Sequence, residues 1–213
     1  MRKVNPKSYE YIETLIPKEN FKMGQSRVAA ESIGLSAISL SAAEGQILQF
    51  FVSLCIPKKV VEIGTLTGLS AQYILAAMPS DGILWTLEKT EKHAELAGAA
   101  INDPRCRIIV GDAVEKLAEV KNYGPFQCIF IDGNKAAYLK YFNWACENIS
   151  PGGYIIVDNI FLSGAVWGDS LVQKFNDKQI DAVRAVNLKA FSTDGLTSTI
   201  IPTQEGLLVC RKA

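Results

Sequence analysis

The sequence VVEIGTLTGLS, residues 60–70, decides the fold class because it changes from a strand pattern to a helix pattern across a short turn. Three of its first four residues are apolar and β-branched, which is typical of a buried strand. Gly64 and Gly68 then bracket the turn, where glycine permits backbone conformations that other residues rarely adopt. A helical pattern follows from about Leu69. A buried strand joined to a helix by a tight turn predicts an α/β protein.

Strand and helix patterns alternate along the rest of the chain. The candidate strands rich in β-branched and aromatic residues span 59–64, 83–89, 105–112, 127–132, 154–159, 197–202 and 206–212. The segments between the first five have helical spacing, as in the recurrence of Tyr138, Phe142, Ala145 and Ile149. Nearly continuous apolar strands separated by helices indicate a parallel sheet covered on both faces. Because only TQE separates the last two strands, we predict a doubly wound, mostly parallel seven-stranded sheet with an antiparallel edge strand.

The chain has 213 residues and no linker rich in proline, glycine or serine, so we expect a single domain. Residues 1–57 have helical patterns without a strand signal. We interpret them as an N-terminal helical cap that belongs to the same domain as the core at 58–213.

Charge and cysteine content limit the function classes. Lysine plus arginine and aspartate plus glutamate both number 22, so no overall field recruits nucleic acid or an anionic membrane. Residues 1–27 are mildly basic, with six lysines and arginines against three glutamates. The five cysteines lack C-x-x-C spacing and indicate reduced thiols. The start lacks a signal peptide and the longest apolar run, ILQFFVSLCI, is too short to span a bilayer, so we expect a cytoplasmic protein without membrane association.

Acidic residues and glycines stand at the ends of the first three predicted strands, where open parallel sheets bind ligands. Gly64 begins the first turn, Glu88 ends the second strand 26 residues after Glu62, and Asp112 follows the third. Each has a simpler explanation, since glycines serve tight turns and acids favour helix starts. Together they favour an adenosine-bearing ligand. Leu66 stands where a dinucleotide fingerprint has its middle glycine, which argues against a nicotinamide cofactor.

The chain resembles the class I S-adenosylmethionine (SAM)-dependent methyltransferases, and within them the metal-dependent O-methyltransferases that include catechol and caffeoyl-CoA O-methyltransferases. The resemblance covers about residues 38–212. It rests on Asp-x-x-Lys after the fourth strand, on Asp-Asn after the fifth, and on the segments LSAAEGQIL, VVEIGTLTGLS, GDA, FIDGNKAAYLKY, PGGYIIVDNI and EGLLVCRK. FLSGAVWGD and AFSTDGLTSTIIP depart from the family pattern, which leaves the substrate open.

The resemblance implies a Rossmann-like methyltransferase fold, a homodimer and a set of site residues. By this likeness Lys135 is the proposed base, and the metal ligands are Asp132, Asp158 and Asn159. The residues implied in cofactor binding are Leu40, Glu62, Gly64, Ser70, Glu88, Asp112 and Asp132.

Two carboxylates at the ends of neighbouring strands need a cation between them. If the fourth and fifth strands are neighbours, as in the family, Asp132 and Asp158 lie at one rim, about 5 Å apart. One of them would then take up a proton unless a cation neutralises the pair. Together with Asn159 they form an all-oxygen set that suits Mg²⁺ first, then Mn²⁺ or Ca²⁺. Helix caps and turns explain each segment separately, but not their combination with Lys135.

We therefore predict transfer of a methyl group from SAM to a hydroxyl of a small catechol-like or other vicinal-oxygen substrate. The metal would stabilise the oxyanion and lower a phenolic pKa from about 10 towards neutrality. Three alternatives stay open: a tRNA hydroxyuridine O-methyltransferase, a nicotinamide-dependent oxidoreductase and a non-catalytic SAM-binding module.

Four further residues carry weaker expectations. Tyr138 either lines the pocket or packs, and Phe161 and Trp167 either stack on an aromatic substrate or pack in the core. The only histidine, His93, is expected on an exposed helix without a catalytic role.

Overall fold

The computed structural model describes residues 7–168 and 174–213. Its α-helices are α1 (Lys7–Leu15), α2 (Phe21–Ser32), α3 (Ala42–Cys55), α4 (Leu69–Ala77), α5 (Glu91–Ile101), α6 (Ala113–Val120), α7 (Tyr138–Asn148) and α8 (Asp177–Ser192). Its strands are β1 (Lys59–Ile63), β2 (Ile83–Glu88), β3 (Cys106–Val110), β4 (Phe126–Ile131), β5 (Ile149–Val157), β6 (Leu196–Ile201) and β7 (Leu207–Lys212).

The seven strands form one sheet in the order β3-β2-β1-β4-β5-β7-β6. Strands β1 to β5 pair in parallel, and β7 runs antiparallel between β5 and β6 so that the β6–β7 hairpin forms one edge. The predicted doubly wound sheet is therefore confirmed. Strand β5 begins five residues earlier than predicted, because Ile149 already pairs with Phe126 before a register shift.

Apolar clusters cover both faces of the sheet. One contains Phe142 of α7 and Val186 of α8 with inward side chains of β4 and β5. The other contains Leu48 of α3 and Ile74 of α4 with the opposite side chains of β1 and β4. Burial of one such side chain contributes about 1.5–3 kcal/mol, so helices on both faces hold the sheet rigidly.

The carboxyl ends of β2, β1, β4 and β5 are aligned by backbone hydrogen bonds. The amide of Gly64 donates to the Leu87 carbonyl over 3.0 Å, and the amide of Asp132 donates to Ile63 over 2.9 Å. The amide of Asp158 continues the series to Ile131 over 3.0 Å. Strand order reverses between β1 and β4, and open α/β sheets bind ligands at such a point.

Two basic side chains of residues 1–27 bind other residues of the protein. The Lys22 ammonium donates to the carbonyls of Ile101 and Asn102 over 3.0 Å each. The Arg27 guanidinium forms a 2.5 Å ion pair with Glu19. These contacts engage two of the six basic side chains of residues 1–27, of which Arg2 and Lys3 lie outside the described residues.

Two findings bear on the expected environment. All five cysteines are free thiols. Within the described residues, none of the helices combines the length and the apolar character that crossing a bilayer requires.

Candidate active site

A cavity of about 650 Å³ opens at the carboxyl ends of the parallel strands. Nine of the ten residues predicted from the sequence line it: Leu40, Gly64, Ser70, Glu88, Asp112, Asp132, Lys135, Asp158 and Asn159. The tenth, Glu62, lies beneath the floor and is fully buried. Residues spread over more than a hundred positions of sequence thus meet in one pocket.

Gly64 lies on the floor of the cavity, where the backbone after β1 closely approaches the backbone after β4. Its φ is +103°, a conformation that strains other residues. A Cβ atom at this position would lie 2.2 Å from the carbonyl oxygen of Asp132. Both features require glycine, and together they let a ligand approach the backbone of the turn.

Glu88 supports the glycine turn from the end of β2. One carboxylate oxygen accepts a hydrogen bond from the amide of Leu66 over 2.8 Å, and the other accepts from the amide of Thr90 over 2.9 Å. Leu66 has a left-handed φ of +51°, so this bond holds a turn that the backbone alone disfavours. Glu88 is 8% exposed and lines the cavity, so its carboxylate both braces the turn and is placed where a ligand could bind.

Asp112 and Leu40 lie at two other walls of the cavity. The Asp112 carboxylate caps α6 by accepting from the amide of Val114 over 3.0 Å, and it pairs with Lys89 at 3.2 Å. The sequence left open whether Asp112 caps the next helix, and the structure contains this cap. The Leu40 carbonyl accepts from Arg27 over 3.1 Å, which ties the segment before α3 to α2.

Glu62 is a buried carboxyl group directly under the site. Its Oε2 accepts from the Thr86 hydroxyl over 2.5 Å, and its Oε1 has no hydrogen-bond partner among the described residues. Burial raises its pKa from 4.5 to about 8, against the lowering effect of the neighbouring Ser70 and Thr86 side chains, and the charges of Asp132 and Glu88 raise it further. Glu62 itself does not line the cavity, whereas Ser70 does.

The variant Glu62→Gln is expected to make the ligand-free protein less sensitive to alkaline pH. A carboxyl whose folded pKa is raised stabilises the fold fully below pH 4.5, and this contribution is lost as pH rises through about 8. The free energy of unfolding of the variant should therefore exceed that of the wild type by a larger amount at pH 8 than at pH 5. We expect this amount to differ between the two pH values by about 2 kcal/mol, or roughly 4–8 °C in melting temperature. Thermal melts at the two pH values measure it.

Exposed Glu95 provides the control for this comparison, since Glu95→Gln also removes one carboxylate. Its melting temperature should follow the wild type at both pH values. Equal pH dependence of the wild type and Glu62→Gln would show that Glu62 ionises normally.

The side chains of Asp132, Asn159 and Lys135 converge at one point beyond the Gly64 turn. The Lys135 ammonium lies 2.6 Å from Asp132 Oδ1 and 2.6 Å from Asn159 Oδ1. Asn159 adopts a left-handed φ of +56°, which asparagine tolerates better than most residues and which turns its side chain to this point. Two oxygens from neighbouring strand ends therefore already surround a positive charge.

Asp158 adds a nearly buried carboxylate to this group. It is 2% exposed, and its Oδ1 accepts from the amide of Asn159 over 2.7 Å. Burial raises the pKa of Asp158 well above its ordinary value, and the charge of Asp132 raises it further, while Lys135 opposes the shift. The group therefore has a deficit of positive charge, because one ammonium serves two acids.

Tyr138 fixes the position of Lys135. Its hydroxyl accepts from the Lys135 ammonium over 2.5 Å and donates to the carbonyl of Asp158 over 3.1 Å. The ring is fully buried, and burial raises the pKa of Tyr138 well above its ordinary value, so the hydroxyl remains a donor. Tyr138 lies behind the cavity wall, which resolves the alternative left by the sequence in favour of packing.

The oxygens at this end of the cavity fit a divalent cation. The side chains of Asp132, Asp158 and Asn159 offer hard oxygen donors. The Lys135 ammonium contacts the oxygens of Asp132 and Asn159, so these two oxygens already bind one positive charge. The described part of the chain contains no cluster of three or more histidine, cysteine, aspartate or glutamate side chains able to hold a metal. This set has two carboxylates and an amide, so water and substrate oxygens would have to complete the coordination.

Phe161 packs, which was one of its two expected roles, whereas Trp167 and His93 differ from what was expected. Phe161 packs against Gly206, and Trp167, 64% exposed, lies edge-on to Phe161 at 5.3 Å; neither lines the cavity. His93 was expected on an exposed surface, and this was wrong. It is half-buried, lines the cavity and lies 3.6 Å from the Glu88 carboxylate, because α5 begins immediately beside the end of β2.

Sequence reasoning missed several cavity residues, among them Glu44 of α3, Tyr141 of α7, and Ser163, Gln204 and Glu205 from the segments between β5 and β7. For Glu44 a signal existed. Ser41 and Glu44 have the spacing of a capping box, and the structure contains both of its hydrogen bonds at the start of α3. This places Glu44 at a helix terminus that faces the strand ends.

Residues 15–213 match a family model described as O-methyltransferase. A catechol O-methyltransferase of Niastella koreensis is 32% identical over 197 residues, covering 90% of this chain and 87% of that protein. A caffeoyl-CoA O-methyltransferase of Zea mays is 28% identical over 216 residues, covering 96% and 84%. These matches confirm the resemblance inferred from the motifs and argue against a nicotinamide-dependent oxidoreductase.

Solved structures agree with this result. The O-methyltransferase TomG from Streptomyces achromogenes, involved in tomaymycin synthesis and solved in complex with SAM, is 27% identical with a TM-score of 0.87, covering 96% of this chain and 95% of that one. An O-methyltransferase from Bacillus cereus in complex with SAH is 27% identical with a TM-score of 0.86, covering 96% of both chains. The chain therefore belongs to the O-methyltransferase family.

Proposed function

We propose that this protein is a SAM-dependent, divalent-metal-dependent O-methyltransferase whose substrate is a small molecule with two adjacent oxygens, such as a catechol. The observation that carries the proposal is the convergence of Asp132 and Asn159 oxygens at the Lys135 ammonium, in the same cavity as the Gly64 turn. One cavity thus has a half suited to the methyl donor and a half suited to an ionised hydroxyl.

The turn after β1 and the ends of β2 and β3 would bind SAM. Gly64 permits close backbone approach, and Glu88 offers acceptor oxygens where a ribose would lie. Ser70, Asp112 and Leu40 line the surrounding walls. SAM and its SAH product are present in the two related structures, which supports this assignment.

Asp132, Asp158 and Asn159 would hold the metal, with Mg²⁺ preferred because all donors are oxygens. When bound, the ion would supply charge stabilisation for the substrate oxyanion. The raised pKa of Asp158 supports this, because a buried acid beside another acid needs a cation to remain ionised.

Lys135 would accept or relay the proton of the reacting hydroxyl. Tyr138 and Asp132 restrain its side-chain nitrogen, so the group is positioned before the substrate arrives, and the neutral amine would take the hydroxyl proton and become the ammonium. The cavity walls would then hold the oxygen nucleophile in line with the methyl group, and positioning of two reactants is the main contribution of the protein. Direct attack needs no covalent enzyme intermediate.

Three further expectations from the sequence remain proposals. A homodimer is consistent with large apolar side chains exposed on the first three helices, including Tyr11, Leu15, Phe50 and Leu54. Residence in the cytoplasm and the division into a cap at 1–57 and a core at 58–213 likewise stay predictions.

The test is a turnover screen with labelled SAM and a set of vicinal diols, with unmodified and hydroxylated tRNA as the comparison arm. Turnover of at least one diol is expected, with loss of activity in EDTA and recovery when Mg²⁺ is added in excess. Undiminished turnover in EDTA would contradict the metal mechanism. Transfer to tRNA alone would replace the small-molecule substrate, and SAM binding without any turnover would favour a non-catalytic module.

A further inference from the structure

The backbone that follows strand β5 adopts an unusual conformation. Asn159, Leu162, Ser163 and Gly164 have left-handed φ angles of +56°, +48°, +53° and +102°. Glycine adopts such angles without strain and asparagine tolerates them, but leucine and serine rarely do. Strained residues of this kind persist only where surrounding contacts hold them. The segment 159–164 therefore needs contacts that keep it in place.

The loop that joins β6 to β7 supplies two of these contacts through its backbone. The amide of Ile160 donates to the Gly206 carbonyl over 3.2 Å, and the amide of Phe161 donates to the Glu205 carbonyl over 2.9 Å. Backbone bonds do not depend on which side chains the loop carries. They fix the first two residues after Asn159 and leave the left-handed turn beyond them to other contacts.

The side chain of Glu205 holds that turn. One carboxylate oxygen accepts from the amide of Ser163 over 2.8 Å, and the other accepts from the Ser163 hydroxyl over 2.7 Å. Hydrogen bonds to a charged acceptor are the stronger ones, and here both serve a single residue in a left-handed conformation. Glu205 is half-buried, Ser163 is exposed, and both line the same cavity as Asn159. Glu205 therefore contacts the segment twice, through its carbonyl and through its carboxylate.

Asn159 lies between this segment and the end of strand β5. On the side of β5, the amide of Asp158 donates to the Ile131 carbonyl over 3.0 Å. The Asn159 Oδ1 lies 2.6 Å from the Lys135 ammonium, and within residues 7–168 and 174–213 this is the only hydrogen bond that the Asn159 side chain makes. The position of Oδ1 therefore depends on the backbone of Asn159, which the contacts on both sides fix.

The family resemblance assigns no role to the contact between Glu205 and Ser163. Ser163 belongs to FLSGAVWGD, one of the two segments that depart from the family pattern. Glu205 begins the shared segment EGLLVCRK, whose match to the family is in sequence alone. The role of this pair has to be inferred from its geometry.

We propose, building on the proposed function, that Glu205 is a positioning residue for the metal site. Its hydrogen bonds to Ser163 hold the segment 159–164, so that the Asn159 oxygen stays beside Asp132 and can bind the ion together with that carboxylate. Glu205 acts through these bonds and does not contact the ion. Its effect therefore depends on its hydrogen-bonding atoms and not on its negative charge.

Two replacements of Glu205 separate hydrogen bonding from charge. In Glu205→Gln the side-chain oxygen can accept from the Ser163 amide while the NH₂ group donates to the Ser163 hydroxyl oxygen, so both contacts are kept and the charge is lost. Glu205→Ala loses the contacts and the charge together. Exposed Glu95→Ala, outside the cavity, is the control for loss of one carboxylate elsewhere.

Two quantities are measured for each variant. The Kd of Mn²⁺ in the presence of SAH follows from the electron paramagnetic resonance signal of the free ion. The exchange rates of the backbone amide hydrogens at 160–164 are measured without metal, so they report on the segment whether or not an ion binds.

Glu205→Ala should raise the Kd of Mn²⁺ by about tenfold, the lower end of the effect of removing groups that orient metal ligands. Glu205→Gln and Glu95→Ala should stay within about threefold of the wild type, because a single screened charge contributes little. Amides at 160–164 should exchange faster in Glu205→Ala than in the wild type and in Glu205→Gln. The melting temperature should change by no more than about 3 °C, because exposed Ser163 can bond water instead.

Equal weakening of Mn²⁺ binding in Glu205→Gln and Glu205→Ala would mean that the charge acts on the ion directly, and it would overturn the proposal. Unchanged Mn²⁺ affinity in Glu205→Ala would overturn it as well. Failure of the wild type to bind Mn²⁺ would count against the proposed function. The exchange rates would then decide the role of Glu205, and equal rates in all variants would overturn it.

Discussion

Asp158→Ala is expected to abolish methyl transfer, with a fall in kcat of at least about 10³-fold, while SAM binding is retained. The variant removes a nearly buried carboxylate that we propose as a metal ligand, and it leaves the Gly64 turn and Glu88 intact. Loss of the charge stabilisation that a metal gives an oxyanion is worth several kcal/mol, which sets the size of the effect. Turnover and SAM affinity, measured on the same preparations, separate chemistry from cofactor binding.

Stability measurements exclude unfolding as the cause of this loss. Because burial disfavours the ionised form of Asp158, the variant without metal should melt at or slightly above the wild-type temperature. Asp194→Ala, at an exposed turn before β6, is the matched control and should retain full activity. Activity of Asp158→Ala within tenfold of the wild type would remove this residue from the mechanism.

Gly64→Ala should damage both the fold and the cofactor half of the site. The added Cβ would lie 2.2 Å from the Asp132 carbonyl oxygen and 2.8 Å from its carbon, and both atoms belong to the backbone. Strands β1 and β4 would have to separate, at a cost of about 3 kcal/mol or more and a fall of roughly 6–12 °C in melting temperature. SAM affinity should fall by more than about tenfold, because the turn that would contact it is displaced.

Gly195→Ala distinguishes this clash from ordinary backbone strain. Gly195 also has a positive φ, +77°, but a Cβ there meets nothing within 4 Å. Its replacement should cost only about 1 kcal/mol and leave SAM affinity unchanged. Equal melting temperatures for the two variants would mean that the close approach at Gly64 is unimportant.

The sequence predicted the sheet and the positions of most site residues because strand ends carry a simple signal. An apolar run that stops at Gly64, Asp132 or Asp158 marks the end of a buried strand, and parallel register then places these ends at one rim. The apolar runs do not predict the order of the strands in the sheet. That order was expected from the resemblance to O-methyltransferases, and the predicted adjacency of Asp132 and Asp158 depended on it.

Other features depend on contacts between distant segments and have no local signal. Strand β1 is covered on both faces, so buried and exposed residues do not alternate along its sequence. The burial of Glu62, between Val61 and Ile63, therefore has no local signal. His93 follows polar neighbours on α5, yet the packing of that helix beside β2 turns it to the cavity. Glu44 could be recognised as a helix cap, but only the fold shows that it lines the cavity.

The proposed mechanism requires that Asp132 and Asp158 jointly bind one divalent ion, and Mn²⁺ binding tests this most directly. Electron paramagnetic resonance of free Mn²⁺, titrated with the protein in the presence of SAH, counts bound ions without requiring a known substrate. We expect one Mn²⁺ per wild-type chain, displaced by excess Mg²⁺, and none for Asp158→Ala at the same concentrations. No bound Mn²⁺ in the wild type, or undiminished binding by Asp158→Ala, would contradict it.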